Sequence, residues 1–355
     1  MHIFIVKGGT VSDFIKYLPV GNGDSILVKS GSKTVLTDIK YRTSSDDVYD
    51  ISKDIKDACD NQHLSYFIST HQDQDHVLGF AELFYCGKPE NWKKDDGKLL
   101  VDEIVCSDRA LDEESTDASE AILKEIQRRN KLTSSERDKD GNRLLIVTEG
   151  DTVRVGSKFV GRVLAPNSDE IEGESRNNSS VVIRWVYQSS SDSTKTNILL
   201  GGDAEYEVWE RLDDDYDSGE LGWNLCTAPH HCSMTPFASK EDVQDKDAEY
   251  VDNKKAINAL SHRLGSAFVV SSSKEIKRND DNPPHYKAKN KWLNILKKSN
   301  LDETSKDRFY CTSTHNDGKE APVCFVLNDK GIRLEKRASN TKAKPAALNT
   351  TTKYG

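Results

Sequence analysis

Thr70-His71-Gln72-Asp73-Gln74-Asp75-His76 is the stretch that decides how this chain reads. It sets four possible metal ligands, His71, Asp73, Asp75 and His76, into six residues. Directly in front stands Leu64-Ser65-Tyr66-Phe67-Ile68-Ser69, an apolar run with the length and composition of a buried strand. Imidazoles and carboxylates spaced i, i+2, i+4 and i+5 on a tight loop at a sheet edge can converge on two cations, with alternate residues turned one way and the final pair the other. An isolated Asp-x-Asp run reads as a solvated acidic loop, but two flanking histidines and a strand in front shift the reading to metal binding.

Around this loop the chain alternates short β-type runs with helices. His2–Val6, Tyr17–Val20, Ser25–Ser30 and Thr34–Ile39 are separated by the turns Gly21-Asn22-Gly23-Asp24 and Gly31-Ser32-Lys33, as consecutive hairpins require. Val48, Ile51, Ile55, Ala58 and Cys59 recur at helical spacing, as do Ile122, Leu123 and Ile126. The second half follows the same alternation. There Thr196–Leu200 runs through Gly201-Gly202-Asp203 into a helix, Leu225–Ser233 is a strand and loop, and Ala321–Lys336 closes with a hairpin. Many strands followed by a few helices, twice over, suggest two packed sheets with helices outside. Charged insertions fall near residues 87–100, 131–143 and 238–257, the second reading as a solvated linker. Residues 337–355, rich in Thr, Lys, Ala and Asn, are expected to be a disordered basic tail.

Composition excludes several function classes. The chain has 355 residues, 35% hydrophobic and 31% charged, and no run approaches the roughly 18 apolar residues of a membrane span. The opening residues lack the pattern of a secretory signal, so no membrane partner is expected. Seven cysteines, an odd number without a CxxC, fit reduced thiols and a cytoplasmic location. Net charge is −9, and the tail 337–355 holds four cations and no acid, which leaves −13 on the remainder. Such a body lacks the broad basic footprint of a duplex-coating protein, while bound cations would still allow it to receive phosphates.

The loop at 70–76 resembles the H-x-H-x-D-H signature of the metallo-β-lactamase superfamily, with Asp73 in place of the second His. The H-x-D-x-D-H form is similar to the hydrolase domain of ComEC-type competence DNA-uptake proteins and their soluble relatives. Other segments agree in order: Val20–Ser25 with V-G-Q-G-D-[SA], Thr37-Asp38 with [IL]-D, Asn177–Val182 with N-x-x-S-[LV]-V, Leu199–Glu205 with L-L-x-G-D-x-x, and Ala228–Ser233 with x-P-H-H-G-S. Phe309–Thr312 is similar to the late [VI]-[YW]-x-T element, so the resemblance spans about residues 2–336.

The resemblance implies a four-layer αββα sandwich over residues 1–336 and two divalent cations, manganese or zinc or a mixed pair. One cation would take His71 and Asp73, the other Asp75, His76 and His230, with Asp203 bridging them. Asp73 in place of an imidazole hardens one site toward manganese. The implied activity is that of a binuclear metal-dependent phosphodiesterase or nuclease, with nucleic acid or another phosphodiester as substrate. Asp24 is either a turn residue or a support beneath the metals, and Asn178 either a turn residue or a weak ligand. Neighbours on an extended segment point to opposite sides, so one of the His pair faces the metals and the other is free as proton donor; His230 is read as the ligand and His231 as the donor, and the sequence leaves the reverse assignment open. His285, in Asn282-Pro283-Pro284-His285, is a candidate phosphate contact or donor. The same metals would also serve hydrolysis of a cyclic nucleotide, lactone or thioester, and a metal-stabilised interaction module with weak catalysis is the reading from a different class.

Overall fold

Two mixed β-sheets lie face to face in a computed structural model, which describes residues 12–43, 48–60, 62–240, 249–278, 282–297 and 303–335. The first has eight strands in the order Gly331–Leu334, Val323–Asn328, Asp13–Tyr17, Ile26–Ser30, Lys33–Thr37, His63–Ile68, Leu100–Ser107 and Arg143–Val147. The pairs are antiparallel up to Lys33–Thr37. Beyond it the pairs are parallel, because a parallel neighbour needs a crossover and helices such as Ile51–Ala58 and Glu120–Asn130 supply it.

The second sheet has seven strands, ordered Phe309–Cys311, Arg263–Ser271, Trp223–Thr227, Thr196–Leu200, Val182–Tyr187, Phe159–Ala165 and Thr152–Val155. It repeats the division: the strands from Thr152–Val155 to Thr196–Leu200 pair antiparallel, and those separated by helices Tyr206–Asp215, Lys254–Leu260 and Tyr286–Leu296 are parallel.

Side chains on a strand alternate between faces, and here the alternation builds three apolar layers. Val28 and Val35 point between the sheets to meet Trp185, Ile198 and Leu200, while their neighbours Leu27 and Leu36 point outward to Ile51, Ile55, Ile122 and Ile126. Leu199, between Ile198 and Leu200, turns outward to Trp209, Leu212, Leu260 and Trp292. Helices therefore cover both outer faces, giving the expected α/β four-layer αββα sandwich. Buried Arg129 ties one outer helix to its sheet, bonding Glu125 at 2.9 Å and the carbonyls of Val101 and Arg143.

Several local expectations meet a different outcome. The stretch read as a strand at Tyr17–Val20 is instead the end of Asp13–Tyr17 and a loop. The supposed linker at 131–143 contains a helical turn, Ser134–Arg137, stabilised by a capping box between Thr133 and Glu136 that charge counting overlooks. The 238–257 insertion begins with Ala238–Lys240, which pairs with Tyr250–Asp252, and residues 241–248 lie outside the described ones. The expected first strand at 2–6 and the expected disordered tail at 337–355 also lie outside the described residues.

Candidate metal centre

Parallel strands deliver their C-terminal ends to one edge, and the motif loops all leave from that edge. Asp38 follows Lys33–Thr37, Thr70 and His71 follow His63–Ile68, Asp203 follows Thr196–Leu200, and the His230-His231 pair follows Trp223–Thr227. Asp24 precedes Ile26–Ser30, whose Ile26 is paired with Thr37, so this antiparallel neighbour brings it to the same edge. The two sheets are joined there by the Val181 N–H, which donates to the Thr70 carbonyl at 2.9 Å, and within the second sheet the Asp203 N–H donates to Ser180 Oγ at 3.2 Å.

Four side chains from three loops converge. His76 Nε2 lies 3.3 Å from His231 Nε2 and 3.2 Å from Asp203 Oδ1. His231 Nε2 lies 3.3 Å from Asp75 Oδ2 and 3.4 Å from Asp203 Oδ2. The opposite ring nitrogens are fixed by the backbone and a carboxylate: the Gly23 N–H donates to His231 Nδ1 at 3.1 Å, and His76 Nδ1 pairs with Asp38 Oδ2 at 2.7 Å. Asp38 is itself held by the Thr70 N–H at 2.8 Å and the Thr70 hydroxyl at 2.6 Å. Both imidazoles therefore present Nε2 to the same point.

Gly23 permits this approach. Its φ is +149°, and a Cβ there would stand 2.5 Å from Lys40 Cδ and 2.6 Å from the Asp75 carbonyl oxygen.

Burial and mutual charge set the electrostatics of the cluster. Burial and the charge of His76 push His71 down to about 4, and burial pushes Asp24 up to about 6 against the pull of His231 and His76. Burial works against a charged His231, yet Asp203 and Asp75 outweigh it and hold the ring up at about 10. His76 rises in the same way, against its burial, through Asp203 and Asp38. Burial likewise opposes ionisation of Asp203, and His231 and His76 reverse that, holding its carboxyl well below the usual range.

Protons on the two Nε2 atoms thus face a set of carboxylates, and a divalent cation can replace those protons. Two buried polar atoms beside the cluster lack a hydrogen bond: Asp24 Oδ1 and His71 Nε2. Asp24, His76, Asp203 and His231 offer ligand atoms all within 4.8 Å of one another. Donors around a four-coordinate cation with bonds of about 2.0–2.1 Å stand about 3.3 Å apart, which matches the measured separations. Oxygen and imidazole donors of this kind fit a divalent metal.

The remaining candidates divide. His71 is buried beside His76, ring centroids 4.1 Å apart, and its Nε2 lies 3.8 Å from Asp73 Oδ2. Asp73 is partly exposed and pairs with Arg176 Nη1 at 3.3 Å, an ion pair the sequence reading did not anticipate. The expectation for the His pair is corrected: residues 230–232 are not extended but have φ of 49°, 52° and 68°, so opposite facing does not apply. His231 is the buried ring in the cluster, whereas His230 stands at its rim, Nε2 3.6 Å from Asp203 Oδ2 and Nδ1 2.9 Å from Thr235 Oγ1. Ser233 reaches that ring through Thr235, at 3.1 Å from its hydroxyl.

Asn178 is engaged elsewhere, its Oδ1 accepting from the Glu205 N–H at 3.1 Å and its Nδ2 donating to Glu207 at 3.3 Å. His285 caps helix Tyr286–Leu296, with Nδ1 accepting from the Lys287 N–H at 3.1 Å and its ring edge-on to Tyr250. Neither belongs to the convergent group. Asp38 and Thr70 were missed as determinants of that group. The signal available was a lone acid at a strand end, Thr37-Asp38.

A second His/Asp group, His63, Asp102 and Asp140, is accounted for by ion pairs: His63 Nδ1 lies 2.6 Å from Asp102 Oδ1, and Arg143 pairs with Asp140. Among the described residues no helix is long and apolar enough to cross a membrane.

No protein-family model matches the chain, and no match was found among curated proteins. Solved structures similar to it include a mutant of CmlA β-hydroxylase, with 12% identity over 90% of this chain and 55% of that one, TM-score 0.44. CmlA of Streptomyces venezuelae, a diiron β-hydroxylase, gives 12% identity over 89% and 54%, TM-score 0.40. YhfI of Bacillus subtilis, a metallo-β-lactamase fold protein, gives 10% identity over 84% and 95%, TM-score 0.39. The chain spans little more than half the length of the two CmlA structures.

Proposed function

We propose that residues 1–336 form a metal-dependent hydrolase domain of ComEC type that cleaves phosphodiesters, nucleic acid foremost, with two divalent cations, manganese or zinc. The observation that carries the metal reading is the meeting of His76 Nε2, His231 Nε2, Asp203 and Asp75 at 3.2–3.4 Å. Asp24 stands ready beside them as a further buried carboxylate. Across Asp203, His71 and Asp73 supply donors for the second cation. A divalent cation so held supplies Lewis acidity and brings a water's pKa toward neutrality.

The chain's own residues do the rest. Asp38 and the Gly23 N–H lock the two imidazoles with Nε2 forward. His230, oriented by Thr235 at the rim of Asp203, holds a proton at Nε2 for the leaving oxygen, the role the sequence alone had placed on His231. Seven free cysteines support a cytoplasmic setting.

The test is hydrolysis of bis(p-nitrophenyl) phosphate and of an oligonucleotide by chain reconstituted with manganese or zinc, beside a lactone and a thioester. Diester cleavage that disappears in Asp203→Asn is the expected result. Turnover of the lactone or thioester alone would overturn the substrate class, and a chain that binds no metal would overturn the whole reading.

A further inference from the structure

In a chain of net charge −9, residues 274–298 hold eight lysines and arginines against three acids. The structure clasps the described parts of this segment, 274–278 and 282–297, against the metal centre. The Ser272 hydroxyl donates to the Gly23 carbonyl at 2.6 Å, and the Lys274 N–H to Asn22 Oδ1 at 2.9 Å. Asn22 Nδ2 donates to the Pro283 carbonyl at 2.8 Å, the Met234 N–H to Asn282 Oδ1 at 2.9 Å, and the His285 N–H to the Cys232 carbonyl at 2.9 Å. The segment is thus pinned both to the turn that orients His231 and to the loop that carries it.

Lys40 reaches the same turn from another strand end, its ammonium donating to the Asn22 carbonyl. The side-chain position that Gly23 leaves open is bordered at once by Lys40 Cδ, at 2.5 Å, and the Asp75 carbonyl, at 2.6 Å. Two residues earlier, the corresponding point at Gly21 is 3.6 Å from Arg42 Nη1 and 4.0 Å from Lys274 Cγ. Three cations therefore crowd one turn. Arg42 is committed to Glu320 at 3.1 Å, but among the described residues neither Lys40 nor Lys274 has a carboxylate partner. The same holds for Lys287 and Lys289 on the helix that follows. Cations kept this close repel one another, and a further anion beside Lys40 and Lys274 relieves that repulsion.

We propose that Lys40 and Lys274 form a subsite for the phosphate next to the scissile one, so that the site takes an extended nucleic-acid strand rather than a lone diester. This rests on the phosphodiesterase reading above. A single diester is met by the metal site alone, whereas a strand running past Asp75 brings its neighbouring phosphate to these two ammonium groups.

The experiment uses the metal-loaded full chain with a thymidine dinucleotide and a thymidine hexanucleotide. The parent is expected to favour the hexanucleotide in kcat/KM by about tenfold or more. The variant Lys40→Gln/Lys274→Gln is expected to lose most of that ratio through KM, with the slope of log KM against log salt reduced by roughly 1.4, about 0.7 for each contact removed. A parent without length preference, or a variant that keeps the ratio, overturns the subsite. Lys274 is exposed, so Lys274→Gln alone decides the point should the double variant melt early. If neither substrate is cut, the phosphodiesterase reading fails by itself, and anisotropy of the labelled hexanucleotide decides the surface. Binding weakened at least tenfold in the variant upholds the strand track, and absent or unchanged binding overturns it.

Discussion

His76 Nε2 and His231 Nε2 lie 3.3 Å apart although 155 positions separate the two residues in the chain. Each ring is aimed from behind, one by Asp38 and the other by the Gly23 N–H. Two Nε2–H groups at this distance repel, so the arrangement needs negative charge or a metal at the meeting point. Asp203 and Asp75 supply the charge.

The His pair should separate cleanly on substitution. His231→Ala removes a buried donor, so both bound metal and rate fall. His230→Ala removes a rim imidazole, so metal stays bound while the rate drops by roughly 10²- to 10⁴-fold. Elemental analysis beside kinetics checks this, and loss of metal in His230→Ala with retention in His231→Ala would reverse the assignment.

Asp38→Asn isolates the charge behind His76. Asp38 has φ of 56°, a conformation that asparagine also tolerates, so the backbone is spared. The carboxylate that fixes the ring at 2.7 Å is lost, and metal affinity should fall by roughly 10- to 100-fold. Competition with a chelator measures it; an unchanged affinity would show that His76 is oriented by its packing alone.

How far the site was legible follows from these residues. His71, Asp73, Asp75 and His76 lie on one loop after one strand, so spacing alone announces them, and Asp203 stands where an apolar run ends in two glycines. The order of the His pair was not legible, because it depends on three consecutive left-handed residues, 230 to 232, that no periodicity rule foresees. Asp38 was quoted as part of a motif, but its grip on His76 needs two strands laid side by side. Asn178 stands where the resemblance leaves room for a further ligand, and no local signal shows that Glu205 and Glu207 engage it instead. The layered fold was easier, since alternation and helical spacing are properties of single segments.

Gly23→Ala should damage the centre more than its effect on one turn suggests. The added methyl meets Lys40 and the Asp75 carbonyl, the latter backbone that cannot step aside. A cost of about 1–3 kcal/mol in stability is expected, with loss of metal as His231 loses its Gly23 partner. Gly31→Ala is the control, with φ of +58° and nothing within 4 Å, so it should lower the melting point by backbone strain alone and leave metal content intact.

Metal removal should cost stability at one cluster and not at the other. With Asp203 and Asp24 buried among imidazoles, a cation that binds only the folded chain adds about 2.7 kcal/mol at a hundredfold excess over Kd, or roughly 5 °C in Tm. Chelator-treated chain should therefore melt lower and recover when manganese or zinc is restored. Asp203→Asn should flatten that response, because Asp203 faces His76, His230 and His231 together. Asp140→Asn should leave it in place, because the group at His63 is already closed by its own ion pairs. A metal response that vanishes in Asp140→Asn and survives in Asp203→Asn would move the metal centre to the wrong end of strand His63–Ile68, and with it the whole reading of the 70–76 loop.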